Sequence, residues 1–249
     1  MLTPERHRLI LELIEEHHTV TIKQLVEHTT SSESTIRRDL DQLEQLGKLK
    51  RVHGGASLRQ ATSEEPTLLE KTTKNHQEKT SIAIMAASLV RDGDCIFIDA
   101  GSTTYEMIPH LSDKDITVVT NGLNHLHALS SHSIPTYILG GFVKQRTKAI
   151  IGTMALKNLE QYRYDQCFLG VNGLTLEDGF TTPDPEEAVI KRSALSLSQK
   201  RFVLADHSKF EEVAFSKIAD LAEASIITNY QGALSASYNE KTILKVVTP

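Results

Sequence analysis

The sequence predicts an α/β protein in two parts. A small N-terminal unit of three helices and a β-hairpin is followed by a larger unit built on a mostly parallel sheet with helices on both faces. Three observations predict this. The first 58 residues carry apolar positions at helical spacing in three short stretches, closed by a basic strand and a glycine turn. From Asp94 onward, β-branched apolar runs alternate with helical stretches. The length, 249 residues, suits one large domain or two smaller ones. The expected division is 1–58, a linker over 59–75, and 76–249.

The first helical stretch, "PERHRLILELIEEHH", places Leu9, Ile10, Leu13 and Ile14 on one face, with Pro4 in its first turn. "TVT" is a short β-like run, and a helix from about Ile22 buries Ile22, Leu25 and Val26. Ser31 or Ser32 in "TTSS" offers an N-cap to a third helix. That helix carries Ile36, Leu40, Leu43 and Leu46 on its stripe and closes at Gly47. "KLKRV" is a strand, and "HGG" turns into "ASL". With the apolar stripe inward, Ser34, Thr35, Arg37 and Arg38 project outward.

Such an order is that of a winged helix-turn-helix. Its second paired helix enters the DNA major groove by its N-terminal half. Arginine can read guanine bidentately, and Ser or Thr can reach bases or phosphates. The candidate DNA-binding residues are Ser32, Ser34, Thr35, Arg37 and Arg38 on the helix, and Lys48, Lys50, Arg51 and His53 on the wing, where cations neutralise phosphates. The plainer reading is a solvated face, with Arg37 and Arg38 paired to Asp41 or Glu44.

Bulk charge does not decide between them. The chain has a formal net charge of −5. Residues 1–58 hold eight Lys+Arg against nine Asp+Glu, whereas 34–58 hold five against three, a local +2. Charge placement therefore matters more than charge total. Aromatics are 5% with no Trp, which disfavours a base-stacking platform. No apolar run nears the roughly 20 residues of a membrane span, and "MLTPERHRLI" lacks a secretory pattern, so a cytoplasmic protein is expected. Cys95 and Cys167 sit in apolar runs and read as buried free thiols. No Cys or His pair has zinc-like spacing, and neither a metal nor a cofactor is expected.

Residues 5–57, through "STIRRDLDQLEQLGKLKRVHGGA", resemble the DNA-binding domain of the DeoR family of bacterial regulators. The pattern runs from a Ser/Thr-x-Arg-Arg-Asp-Leu helix to a His-Gly-Gly-Ala wing. The resemblance implies a repressor of a sugar-metabolism operon. "SESTIRRDL" with "LKRVHGGA" is most similar to the fructose-operon branch.

After the polar stretch 59–79, "TSIAIMAASLV" predicts a helix with Ile82, Met85, Ala86 and Leu89 on one side. The strands expected next are "CIFID", "ITVVT", "PTYILGG", "QCFLGV", "RFVLAD", "ASIITN" and "ILKVV". Sheets of this kind bind ligands at the strands' carboxyl ends. There stand Asp99, Gly101, Ser102, Thr103 and Thr104, then Asn121, then Gly140, Gly141 and Lys144, then Asp206 and Lys209. Small hydroxyl residues opening a helix suit an anion, although a simple capped turn has the same composition. In "GFTTPDPEEAVIKR", Asp184 to Glu187 fit a capping box and Glu187 with Lys191 an i, i+4 pair. The alternative is that Glu187 accepts sugar hydroxyls and Lys191 contacts phosphate.

Residues 76–235 also resemble the DeoR effector domain, through "DAGSTT", "VVTNG", "LGG", "GVNGL", "GFTTPDPEEAVIKR" and "ADHSKF". That domain is similar to ribose-5-phosphate isomerase and coenzyme A transferases. The resemblance implies a phosphorylated-sugar pocket with phosphate on Ser102, Thr103 and Thr104, and Asp99, Asn121, Glu187, Lys191, Asp206 and Lys209 lining it. Asn172 in "GVNGL" is a weaker match. Expected partners are operator DNA, a sugar phosphate such as fructose 1-phosphate, and further copies in a dimer or tetramer. The rival is a sugar-phosphate isomerase with an accessory DNA-binding domain, Glu187 its base.

Overall fold

The computed structural model describes residues 2–17, 19–52, 54–58 and 67–247. The chain divides into two compact units, Met1–Ala61 and Thr62–Pro249.

The smaller unit runs α1 (Thr3–His17), β1 (Thr19–Thr21), α2 (Ile22–Thr29), α3 (Glu33–Gln45), β2 (Leu49–Val52) and β3 (Gly55–Leu58). Its three strands pair antiparallel in the order β1-β3-β2. Ile10, Ile14, Leu25, Ile36, Leu40 and Leu49 close the core, which is the face that the periodicity marks. Thr21 and Gln24 form a capping box on α2, and Ser32 caps α3. Beyond α3, Gly47 sits at φ +66, donating to Glu44 O while Lys48 N donates to Leu43 O, a Schellman ending. Leu46 corrects the predicted stripe. It is 67% exposed. The helix ends at Gln45, and Leu46 falls roughly 80° round the axis from Ile36.

The core also holds a charge pair that spacing did not announce. Arg6 donates to Asp39 through Nε at 2.5 Å and Nη2 at 3.0 Å, and His7 reaches Asp39 at 3.2 Å. Arg6 and Asp39 are both buried. Burial pushes the Asp39 carboxyl up, but Arg6 and His7 outweigh it and hold it below the ordinary aspartate range.

The larger unit opens with α4 (Leu68–Thr73), inside the stretch expected as linker, and α5 (His76–Ser88). Residues 59–66 of that stretch lie outside the described residues. There follow β4 (Cys95–Ile98), α6 (Ser102–Tyr105), β5 (Thr117–Thr120), α7 (Leu123–Ser131), β6 (Thr136–Ile138), β7 (Phe142–Val143), β8 (Ile150–Ile151), α8 (Thr153–Leu159) and β9 (Tyr164–Gly170). The chain continues through β10 (Gly173–Thr175), β11 (Gly179–Thr182), α9 (Pro185–Ser196), β12 (Ser198–Leu204), β13 (Ser216–Ala219), β14 (Ser225–Thr228), α10 (Ser235–Lys241) and β15 (Leu244–Val246).

Seven strands form one parallel sheet in the order β15-β14-β12-β9-β4-β5-β6, and all seven are runs expected from sequence. Period-2 alternation sends successive side chains into two cores. Ile96, Ile98, Val118, Phe168 and Ile227 face α5 and neighbouring turns, whereas Phe97, Val119, Cys167, Leu169 and Ile226 face the core that includes α8 and α9. The hairpin β7–β8, the antiparallel β10-β11-β13 sheet and α10 were not expected. Cys95 and Cys167 are free thiols, with Cys167 buried and pushed up to about 11 by burial. No helix among the described residues is long and apolar enough to cross a membrane.

Candidate functional site

The smaller unit presents the outer face of α3. Ser32, Ser34, Arg37 and Arg38 are exposed and Thr35 half-buried. Ser32 is committed to the helix start: its hydroxyl accepts from Thr35 N and bonds the hydroxyls of Ser34 and Thr35 at 3.0 and 2.9 Å. Arg37 pairs back to Glu33 at 3.1 Å. Arg38 makes no ion pair among the described residues.

The acids offered as partners for these arginines hold the wing. Arg51 donates to Asp41 and, at 3.2 Å, to the Arg37 carbonyl, while its own backbone N–H reaches Glu44 at 2.7 Å. Wing and helix are thereby one piece. Lys48 is exposed. His53 and the Lys50 side chain lie outside what the structure describes.

In the larger unit, the expected residues gather at the carboxyl ends of β4, β5 and β12, and many are engaged with one another. Asp99 is buried and accepts from Gly170 N at 3.0 Å and from Lys191, itself buried on α9. Burial raises the Asp99 carboxyl above its ordinary range, Lys191 opposing. Glu187 accepts from Lys144 at 3.0 Å and Thr147 at 2.9 Å, and Lys144 also meets Asp184 at 2.7 Å. Asp184 does cap α9, accepting from Glu186 N at 2.8 Å. The capping box is not completed, because the Glu187 carboxylate turns to Lys144 and Thr147. Nor do Glu187 and Lys191 pair: Glu187 finds its partners in the turn between β7 and β8, and Lys191 at the end of β4.

Several expected ligand residues serve the fold itself. Thr104 donates to Asp99 O at 2.6 Å. Asn121 accepts from Ala100 N at 2.8 Å and donates to Ile150 O at 3.4 Å, tying the β4 turn to β8. At Gly141, a Cβ would come within 2.6 Å of Ile151 O, so the glycine permits the hairpin's close approach. Gly140 donates its N–H to Asn158 at 2.9 Å, and Asn172 accepts from Thr182 at 3.1 Å. Ser102 and Thr103 differ: buried, their hydroxyls have no hydrogen-bond partner among the described residues.

A second cluster surrounds Asp206, which is buried and accepts from Ser208 N at 2.9 Å and Asn75 at 3.0 Å. Burial raises its pKa, but Lys209 and these donors bring the net shift below the ordinary value. Lys209 is pushed down by burial, Asp206 opposing. Lys79 on α5 joins them and was not expected. It is buried, donates to Lys71 O and, at 2.7 Å, to Lys74 O, and burial pushes it down to about 8. A lysine inside a helical run reads as solvated, and only the paired carbonyls of a chain bend reveal otherwise.

His125 was also missed. It is buried under Tyr105, Nε2 lies 3.4 Å from the Thr104 hydroxyl, and Nδ1 has no partner among the described residues. Burial pushes it down to about 4, so the ring is neutral near pH 7. Gly122 makes room for it, since a Cβ there would stand 2.3 Å from Nδ1. No cluster of three or more metal-ligating residues occurs among the described residues.

Comparison with known proteins agrees with this two-part organisation. A model of the DeoR-like helix-turn-helix domain matches residues 6–62, and one of the DeoR C terminal sensor domain matches residues 74–230. A Bacillus subtilis (strain 168) protein described as an uncharacterized HTH-type transcriptional regulator, FruR, is 52% identical over 251 residues, covering all of both chains. The lactose phosphotransferase system repressor of Lactococcus lactis subsp. lactis is 37% identical with 81% of each chain covered. The HTH-type transcriptional repressor GlcR of Bacillus subtilis is 32% identical, with 91% of this chain and 88% of that one covered. Ribose 5-phosphate isomerase A of Methanocaldococcus jannaschii overlaps 55% of each chain at TM-score 0.42 and 18% identity, too distant to bear on function. The chain belongs to the DeoR family, and it is a DNA-binding transcriptional regulator rather than an enzyme.

Proposed function

We propose that the protein represses a sugar-utilisation operon, that for fructose, and is released from its operator by a phosphorylated sugar, fructose 1-phosphate first among the candidates. The observation that carries the reading is the 52% identity over the full length to a regulator named FruR. Geometry supports it at both ends. Ser34, Arg37 and Arg38 stand on the exposed half of α3, with Lys48 exposed at the base of the wing. In the larger unit, the hydroxyls of Ser102 and Thr103, without a partner among the described residues, open α6 just beyond the carboxyl end of β4.

Release is a matter of linkage: the effector binds the arrangement that DNA does not. A coupling of about 1–3 kcal/mol lowers operator affinity about 5–150-fold. A dimer or tetramer would read a palindromic or repeated operator with half-sites a whole number of helical turns apart. The isomerase reading has less support, because Glu187, its candidate base, is held by Lys144 and Thr147.

The test is fluorescence anisotropy on the DNA upstream of the protein's own operon, titrated with fructose 1-phosphate, fructose 6-phosphate, fructose 1,6-bisphosphate and ribose 5-phosphate. Release by fructose 1-phosphate at micromolar to millimolar concentration is expected. Tight DNA binding that none of the four alters would overturn the sensing half.

A further inference from the structure

The residues carried over as the effector pocket are largely neutralised among themselves. Lys191 answers Asp99, and Lys144 answers Asp184 and Glu187. An anion arriving there would compete with carboxylates already in place. Next to this network lies a cavity of about 470 Å³, within the usual range for small-ligand pockets. Leu68 and Thr72 of α4 form one wall, Ser102 and His125 another, and the turn between β7 and β8 brings Arg146 and Lys148. Its lining holds these two cations and no carboxylate, although Glu70 of α4, outside the lining, feels the charge of Arg146. Lys148 bonds only the neutral amide of Gln145, at 3.1 Å, among the described residues.

We infer that this cavity is the seat of the anionic ligand: its phosphoryl group lies against Arg146, Lys148 and the Ser102 hydroxyl, and its hydroxyl-bearing part lies over His125. The inference rests on the sugar-phosphate reading above and says where that ligand sits.

The hydrogen-bond inventory fits such a molecule. Ser102 is buried with an uncommitted hydroxyl. The Thr104 hydroxyl spends its proton on Asp99 O, so toward His125 it can only accept. Nε2 of His125 therefore carries the ring proton, and Nδ1 is a buried acceptor without a donor. That atom is closed off against Gly122, so what His125 offers the cavity is a neutral ring face beside the Ser102 hydroxyl. A phosphomonoester fits this lining, its phosphoryl oxygens accepting from Arg146, Lys148 and Ser102 and its carbon-bearing part resting on Leu68 and the His125 ring.

The cavity also makes α4 part of the ligand's enclosure. Leu68 N donates to Arg146 O at 3.1 Å, so the backbone that starts α4 hangs on the turn that supplies the cations. Alone, α4 is weak: six residues with none buried, held by the Thr67–Glu70 capping box. So short a helix is marginal without tertiary support. A ligand filling the cavity adds that support.

The experiment is calorimetric titration of the full-length protein with fructose 1-phosphate. The variants are Arg146→Gln, Lys148→Gln, the double variant and Lys144→Gln, with exposed Lys200→Gln as the control. Hydrogen exchange is followed over residues 68–73 with and without the sugar phosphate. Both single variants are expected to weaken binding about tenfold or more, since charge-assisted bonds to phosphate are lost. Lys200→Gln should bind as the parent does, and exchange in α4 should slow when fructose 1-phosphate is present. Parent-like affinity in the double variant would overturn the inference while leaving the sensing function intact, as would loss confined to Lys144→Gln. Absence of binding by the parent to all four sugar phosphates would overturn the sensing function itself, and this inference with it.

Discussion

Asp39 shows how a residue can sit inside a recognition motif and yet serve the fold. Its neighbours Arg37 and Arg38 face outward, while it turns inward to Arg6. Breaking a buried pair by removing one partner leaves a charge without compensation. Asp39→Ala is therefore expected to destabilise the smaller unit by about 3–5 kcal/mol, seen as loss of its thermal transition while the larger unit still melts cooperatively. An unchanged melt would show that the pair contributes nothing. His125 gives a pH prediction. Its folded pKa is pushed down to about 4, while an unfolded histidine titrates near 6.5. Between these values the unfolded chain binds a proton that the folded chain refuses, so stability is full above about pH 6.5 and declines as pH falls toward 4. Between pH 7 and 5 the loss from this residue is on the order of 2 kcal/mol. Urea unfolding at those two pH values should show a smaller loss in His125→Asn, and an equal loss would exclude the residue as the cause. Local spacing misled at this scale. It matched Glu187 to Lys191 four residues on, yet their partners, Lys144 and Asp99, lie 43 and 92 residues away in sequence. Periodicity sees one element at a time, and such pairs exist only once elements converge.

Elements were the most readable level. The stripes on α1, α2 and α3, the Ser32 cap and the Gly47 ending are each written in a few adjacent residues, so the helices emerge without tertiary knowledge. The same local logic assigns tasks on α3 and the wing. Arg38→Ala is expected to weaken operator binding by about 1–3 kcal/mol and to relax preference at one base position, whereas Lys48→Ala should weaken all sequences alike and lower the salt slope by about 1. Anisotropy against operator and scrambled DNA at several salt concentrations separates these. Equal loss on both DNAs for Arg38→Ala would move it from reading bases to holding phosphate. The β7–β8 hairpin and α4 escaped notice because neither carries a period that can be counted. β7 and β8 have two residues each, and α4 is six residues without an apolar stripe.

At the scale of the whole chain, seven apolar runs foretold a parallel sheet, and the strand order came from how those runs associate. β4 is the first strand of the larger unit in sequence, yet it lies between β5 and β9. The site inherits this arrangement, because Asp99 at the end of β4 accepts from Gly170 at the end of β9. The expected ligand residues were legible as a set at the carboxyl ends of strands, which topology alone dictates. Which of them hold the backbone, which neutralise each other and which line open space was settled by packing, as Thr104, Lys191 and Ser102 respectively illustrate.

That central position also has a consequence in time. Ribosomes add about 5–20 residues per second, and N-terminal domains generally fold first. The helices and wing of the smaller unit lie within the compact unit Met1–Ala61, so this unit is expected to fold while the sensor is still being made. β4 must then wait for β9, which begins at Tyr164, with one apolar edge covered by β5 and the other bare for several seconds. The smaller unit is thus complete before the sensor's sheet can close, and that interval leaves the sheet most open to wrong partners.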